Sequence, residues 1–138
     1  MKKIVATLLA LVSLLVSGAT YARETVPIIN IENIAIATSN GKTPSLAELK
    51  AAIMRAGLLQ QWNMSDAGPG KLTGTLFVRG KHSIAVDITY STNQFSVIYV
   101  NSVNMKYEVK DGVPSIHPSY SKWVQTLVNN IRIETQRL

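Results

Sequence analysis

Residues 72–100 read LTGTLFVRGKHSIAVDITYSTNQFSVIYV, and this stretch decides the fold. Leu72, Gly74, Leu76 and Val78 alternate with Thr73, Thr75, Phe77 and Arg79. Ile84, Val86, Ile88 and Tyr90 alternate with Ala85, Asp87 and Thr89. Period-two alternation puts one set of side chains on each face of a sheet, so both runs predict half-buried strands. Turn composition at Gly80-Lys81 and at Thr92-Asn93 joins them into an antiparallel meander. A two-residue turn at Gly80-Lys81 would pair Phe77 with Ile84. A three-residue loop through His82 would pair Val78 with Ile84 and Leu76 with Val86, and is preferred because it keeps both apolar rows on one face. Around Thr92-Asn93 the same logic sets Tyr90 opposite Phe95, Ile88 opposite Val97 and Val86 opposite Tyr99.

Working outward, Val26 to Ala37 is rich in isoleucine and predicts a strand with a break near Asn33. Ser39 to Pro44 is a loop. Ser45 and Glu48 have capping-box spacing, which starts a helix running to about Ala56, with Leu46, Leu49, Ile53 and Ala56 on one face. Gly57 stands where a left-handed C-terminal residue is wanted. Trp62 to Met64 predicts a short strand before the turn at Asp66 to Gly70. Asp111-Gly112 is a hairpin signal folding Met105–Val109 onto Val113–Ile116, and Pro114 marks that ribbon as a sheet edge. His117-Pro118 opens a last helix, on which Tyr120, Trp123, Val124, Leu127 and Ile131 form one stripe. Trp62 and Trp123 are expected in the core. The architecture expected is α+β: an antiparallel meander of four to six strands with two helices on one face.

The N-terminal 22 residues have a different character. Met1-Lys2-Lys3, the apolar run Ile4 to Val16, and Ser17-Gly18-Ala19-Thr20-Tyr21-Ala22 follow the layout of a secretory signal peptide, with cleavage expected between Ala22 and Arg23. The run is short of the roughly 20 residues that span a bilayer, so no transmembrane anchor is expected after cleavage. What remains, 23–138, is one domain by size. The chain has no cysteine, so disulfides, thiolate metal sites and lipidation at a cysteine do not apply. Removing Lys2 and Lys3 leaves 12 basic against 8 acidic residues, net +4. These charges are scattered singly, which argues against nucleic acid as a partner.

The strings Val78-Arg79-Gly80-Lys81-His82, Ala85 to Tyr90 and Phe95 to Tyr99, with Ser102 to Tyr107 and Ile116 to Trp123, together resemble a family of small exported proteins and lipoproteins of Gram-negative bacteria with no assigned activity. The likeness spans about Val26 to Ile131. It implies an exported single domain. Many members carry a lipidated cysteine that this chain lacks, which implies an unlipidated periplasmic protein here.

Chemistry-bearing residues are few. His82 and His117 are the only histidines, and neither has ligand-spaced company, so no metal or cofactor is expected. Arg79, Lys81 and His82 form a basic knuckle at a hairpin tip, suited to an anionic envelope surface or an acidic periplasmic partner. On the uncovered sheet face, Asp87 is flanked by Ala85, Thr89 and Ser96. There Ile98 and Val100 form an apolar pair suited to docking. The function expected is non-catalytic binding of an envelope component or protein. The alternatives are carriage of a small apolar ligand between sheet and helices, and third, a hydrolase using His82.

Overall fold

The computed structural model describes residues 24–138. The expected signal segment 1–22 and its expected cleavage point, Ala22–Arg23, lie outside the described residues. The described chain carries β1 (Val26–Pro27), β2 (Ile31–Ala35), α1 (Leu46–Leu59), β3 (Asn63–Asp66), β4 (Lys71–Val78), β5 (His82–Tyr90), β6 (Gln94–Val103), β7 (Glu108–Lys110), β8 (Val113–Ile116) and α2 (Ser119–Gln136). It is an α+β fold built around a strand meander. The strands form two antiparallel sheets, one ordered β2-β6-β5-β4-β3 and one ordered β1-β8-β7.

The β5–β6 register is the one the alternation demands: Tyr90 faces Phe95, Ile88 faces Val97 and Val86 faces Tyr99. The β4–β5 register differs from expectation by two residues. Val78 pairs with His82 and Leu76 with Ile84, so Arg79-Gly80-Lys81 is the loop and His82 is the first residue of β5. Arg79 (φ 53°) and Gly80 (φ 68°) are both left-handed, the geometry of a hairpin turn that matches strand twist, and the Lys81 N–H closes it on the Val78 carbonyl at 3.3 Å. A shift of two preserves the facing of every side chain, which is why alternation alone does not separate the two registers.

Pro114 does not mark an edge. β8 is the middle strand of its sheet, between β1 and β7. Proline fits there because the strand uses its carbonyl and has no call on an N–H: the Ile28 N–H donates to the Pro114 oxygen at 2.9 Å. The Ile-rich N-terminal run breaks at Asn33 as expected, where φ is 57° and the β2–β6 register shifts. It also breaks before Ile31, which lets β1 join the smaller sheet.

Ser45 caps α1 with a complete capping box to Glu48. Gly57 is not the left-handed terminator; it lies inside α1, and Gln61 (φ 64°) turns the chain instead. Glycine at 57 serves packing, since a Cβ there would sit 2.3 Å from the Met64 sulfur. Leu46, expected on the buried face, is exposed, while Ala52 is buried.

The core lies between the helices and the meander: Leu49, Ile53 and Ala56 of α1, Tyr120, Val124, Leu127 and Ile131 of α2, and Leu72, Ile84, Val86, Ile88, Phe95 and Val97 of the sheet, with Trp62 beneath them. Trp62 is 2% exposed. Trp123 is only partly buried at the core margin, because it stands near the open N-terminal end of α2. Across the helix pair, buried Glu134 holds Arg55 of α1 at 2.8 Å and Arg137 at 3.2 Å. Tyr120 meets Tyr99 edge-on and Tyr99 stacks on Tyr107, at centroid distances of 5.5 and 5.6 Å.

Candidate functional site

At the hairpin end of the meander, three segments converge. They are the β4–β5 turn, the β6–β7 connection and the start of α2. Between them lies the largest of the described cavities, about 570 Å³, lined by Val78, Arg79 and His82 from the hairpin, Asn104, Met105 and Lys106 from the connection, and His117, Ser119 and Trp123 from the helix end.

Backbone conformation shapes this site. Six non-glycine residues of the described chain are left-handed, and three of them, Arg79, Asn104 and Lys106, line the cavity. For arginine and lysine that conformation costs about 1 kcal/mol or more each. In the connection, the alternation of Asn104 (φ 55°), Met105 and Lys106 (φ 55°) buries the Met105 side chain and leaves its neighbours exposed. The connection is then pinned twice. The His117 N–H donates to the Met105 carbonyl at 2.8 Å, and the Asn104 side-chain amide donates to the Lys81 carbonyl at 2.6 Å.

The two imidazoles are held in opposite tautomers. His82 Nδ1 lies 2.7 Å from the Asn104 carbonyl oxygen, which can only accept, so Nδ1 carries a proton. His117 Nδ1 accepts the Ser119 N–H at 3.0 Å, so in the neutral ring the proton resides on Nε2. Pro118 gives α2 no side-chain cap, and no acidic residue stands in its first turn, so the positive end of the helix is not countered by a neighbouring carboxylate. Among the described residues no carboxylate lines the cavity. The walls therefore offer guanidinium, ammonium and imidazole groups above an apolar floor of Val78, Met105 and Trp123.

Arg79 and His82 of the expected knuckle line the cavity, whereas Lys81 contributes its backbone carbonyl to the Asn104 amide. Sequence reasoning missed Asn104, Lys106 and Trp123 as site residues and did not connect His117 to His82. Thirty-five positions separate the histidines, and no local pattern brings them together. Elsewhere, Ile98 is half-buried opposite Asp87, and Val100 is not its strand neighbour in the expected sense. A bulge pairs Val86 with Tyr99 but Ala85 with Asn101, leaving Val100 as the extra residue, 45% exposed. Asp87 is paired with Lys71 at 3.3 Å. The exposed apolar side chains of this face are instead Phe77 and Val103, which flank Ser83 on adjacent strands.

A second, shallower groove of about 340 Å³ runs past Leu46, Lys50, Asp66 and Tyr90. It is bridged by an ion pair between Lys50 and Asp66, whose hydrogen bond holds the Asp66 carboxyl below and the Lys50 ammonium above their usual ranges. Among the described residues no cluster of three or more metal-ligating side chains occurs, and no helix is long and apolar enough to cross a membrane. Comparison with protein-family models, with curated proteins and with solved structures gave no match.

Proposed function

We propose that this protein is a non-catalytic binding protein of the periplasm that takes an anionic group into the cavity at the hairpin end. The observation that carries the reading is the convergence of Arg79, Lys106, His82 and His117 on one cavity that no carboxylate of the described residues lines. Such a field favours anions, and charge-assisted hydrogen bonds to them are stronger than neutral ones. The floor of Val78, Met105 and Trp123 suits an apolar portion next to the charged group, so the ligand chemistry is a phosphate or carboxylate on a partly apolar body. The envelope location rests on the N-terminal segment and on the family resemblance. A catalytic reading is weaker, because the lining offers His82 no carboxylate partner and no nucleophile placed by a base.

The test follows ring signals of the two histidines by NMR while purified protein is titrated with inorganic phosphate and, separately, with phosphatidylglycerol vesicles. Both rings are expected to shift, with affinity falling as salt rises. Saturation by phosphate alone identifies a free anion, and preference for vesicles identifies a lipid-displayed headgroup. Arg79→Asn with Lys106→Asn should weaken binding more than tenfold, since asparagine tolerates the left-handed backbone while removing the charge. Unmoved signals with both probes, or binding indifferent to the double substitution, would overturn the reading.

A further inference from the structure

Among the described residues the two sheets have four outer edges, β2, β3, β1 and β7, and one of them is treated differently. β2 is blunted by the bulge at Asn33, where the backbone is left-handed. β3 ends at Asp66, which the Lys50 side chain from α1 reaches and pairs. β1 is two residues long and contains Pro27. These are standard ways of preventing edge-to-edge association. β7 is also short and carries two charges, but Glu108 and Lys110 are of opposite sign, so an antiparallel copy of the same strand is attracted and not repelled. Glu108, Val109 and Lys110 are all exposed, with Val109 at 59%, and among the described residues no strand pairs with the outer side of β7.

The hydrogen-bonding direction of that edge follows from its neighbours. Lys110 pairs with Val113 across the two-residue loop Asp111-Gly112, so this is a hydrogen-bonded pair, and the next pair, Val109 with Pro114, is non-hydrogen-bonded. The Pro114 carbonyl agrees, because it turns away from β7 to accept from Ile28. The Val109 N–H and C=O therefore point outward, ready for another strand.

We infer that β7 is a self-association edge that pairs antiparallel with β7 of a second copy of this chain, about a two-fold axis through Val109. At that register the two Val109 residues exchange both backbone hydrogen bonds. Glu108 of each copy then faces Lys110 of the other, on the same side of the sheet, and the apolar Val109 side chains meet across the axis. The charge sequence Glu-Val-Lys is self-complementary only when the strands run antiparallel, so one arrangement satisfies both the backbone and the charges. Glu108 and Lys110 lie 3.3 Å apart within one chain and are half-exposed, so each can serve a partner across the axis without leaving a buried charge. The joined ribbons form a continuous six-stranded sheet.

Three paired residues per copy make a small interface, so dissociation constants between roughly 10 µM and 1 mM are expected. Sedimentation velocity of the purified protein from 10 µM to 2 mM tests this. Wild type is expected to shift from monomer to dimer over that range, and the shift should weaken with salt. Val109→Pro removes the outward N–H without touching the β7–β8 hydrogen bonds and should leave a monomer. Glu108→Lys should weaken association at least tenfold, and the double exchange Glu108→Lys with Lys110→Glu should restore it. A monomer at every concentration overturns the inference, as does a dimer undiminished by Val109→Pro or a double exchange that fails to restore. Should the proline variant fail to fold, as judged by circular dichroism, the charge-exchange pair decides alone.

Discussion

The helix-covered middle of the meander and its hairpin end are built from the same three strands under opposite rules. In the middle, Ile84, Val86, Ile88 and Val97 are fully buried against α1 and α2, the strand registers are regular, and every side chain obeys the alternation. At the hairpin end, left-handed arginine, asparagine and lysine, a bulge at Val100 and a half-buried tryptophan surround open space. The difference teaches where a small cysteine-free domain can place the anion cavity of the proposed function. The dry core supplies the stability that allows strained backbone and a cluster of basic side chains to be held in one place at its margin.

The sharpest break between the two regions is a pair of tryptophans. Trp62→Ala should cost about 3–5 kcal/mol, as expected for a fully packed aromatic. Trp123→Ala should cost about 1–2 kcal/mol, because its side chain loses only part of that burial, yet it should also reduce anion binding. Urea melts of both variants check the order, and equal losses would mean that the cavity wall is ordinary core.

Arg55→Met probes the seam between the helices. It leaves buried Glu134 with Arg137 as its remaining ion-pair partner among the described residues, and should destabilise by about 1.5–3 kcal/mol. A loss within the error of the melt would mean that Arg137 and solvent compensate fully.

Tyr120→Phe acts in the other direction. Among the described residues the buried phenol has no hydrogen-bond partner, and burial pushes its ionisation well above the usual tyrosine range, with the nearby Tyr99 phenol adding to the effect. Removing the unsatisfied oxygen should raise stability by about 1 kcal/mol, seen as a melting temperature a few degrees higher. A lower melting temperature would show that the hydroxyl has a partner in solution.

The smallest effect belongs to the exposed groove. The Asp66 carboxyl is held low chiefly by its hydrogen bond to Lys50, then by the Gly68 N–H, so its contribution is present above the ordinary carboxylate pKa and is lost as pH falls through the depressed value. Lys50 is raised by the same bond, so its contribution is present below the ordinary lysine pKa and lost as pH climbs through the raised value. Melting temperatures of wild type and Asp66→Asn should therefore differ slightly at neutral pH and converge at both extremes. A difference that persists in strong acid would assign the effect to something other than the ion pair. Because both groups are exposed, the gap stays small.

Much of the fold is legible in particular residues. The rows Ile84-Val86-Ile88 and Phe95-Val97 announce a buried face, Ser45 with Glu48 announces a helix start, and Asp111-Gly112 announces a hairpin; each signal is local, involving residues within a few positions of one another. What stays hidden depends on distant partners. Gly57 reads as a helix terminator until Met64 is seen against it. Pro114 reads as an edge residue until the Ile28 N–H is seen donating to its carbonyl, a bond that asks for no N–H from proline. The basic hairpin tip was visible, but the cavity needed Lys106, His117 and Trp123 from two further segments.

By itself the sequence determined the α+β class, the meander and its core-facing rows, the capped first helix and the scarcity of catalytic groups, because periodicity, capping and turn chemistry act through neighbouring residues. Tertiary structure alone decided the β4–β5 register, the division into two sheets, the burial of Glu134 and the meeting of His82 with His117. A two-residue slip leaves every side chain on its own face, so alternation cannot detect it. A cavity is the space left between segments, and its walls are fixed only when those segments pack.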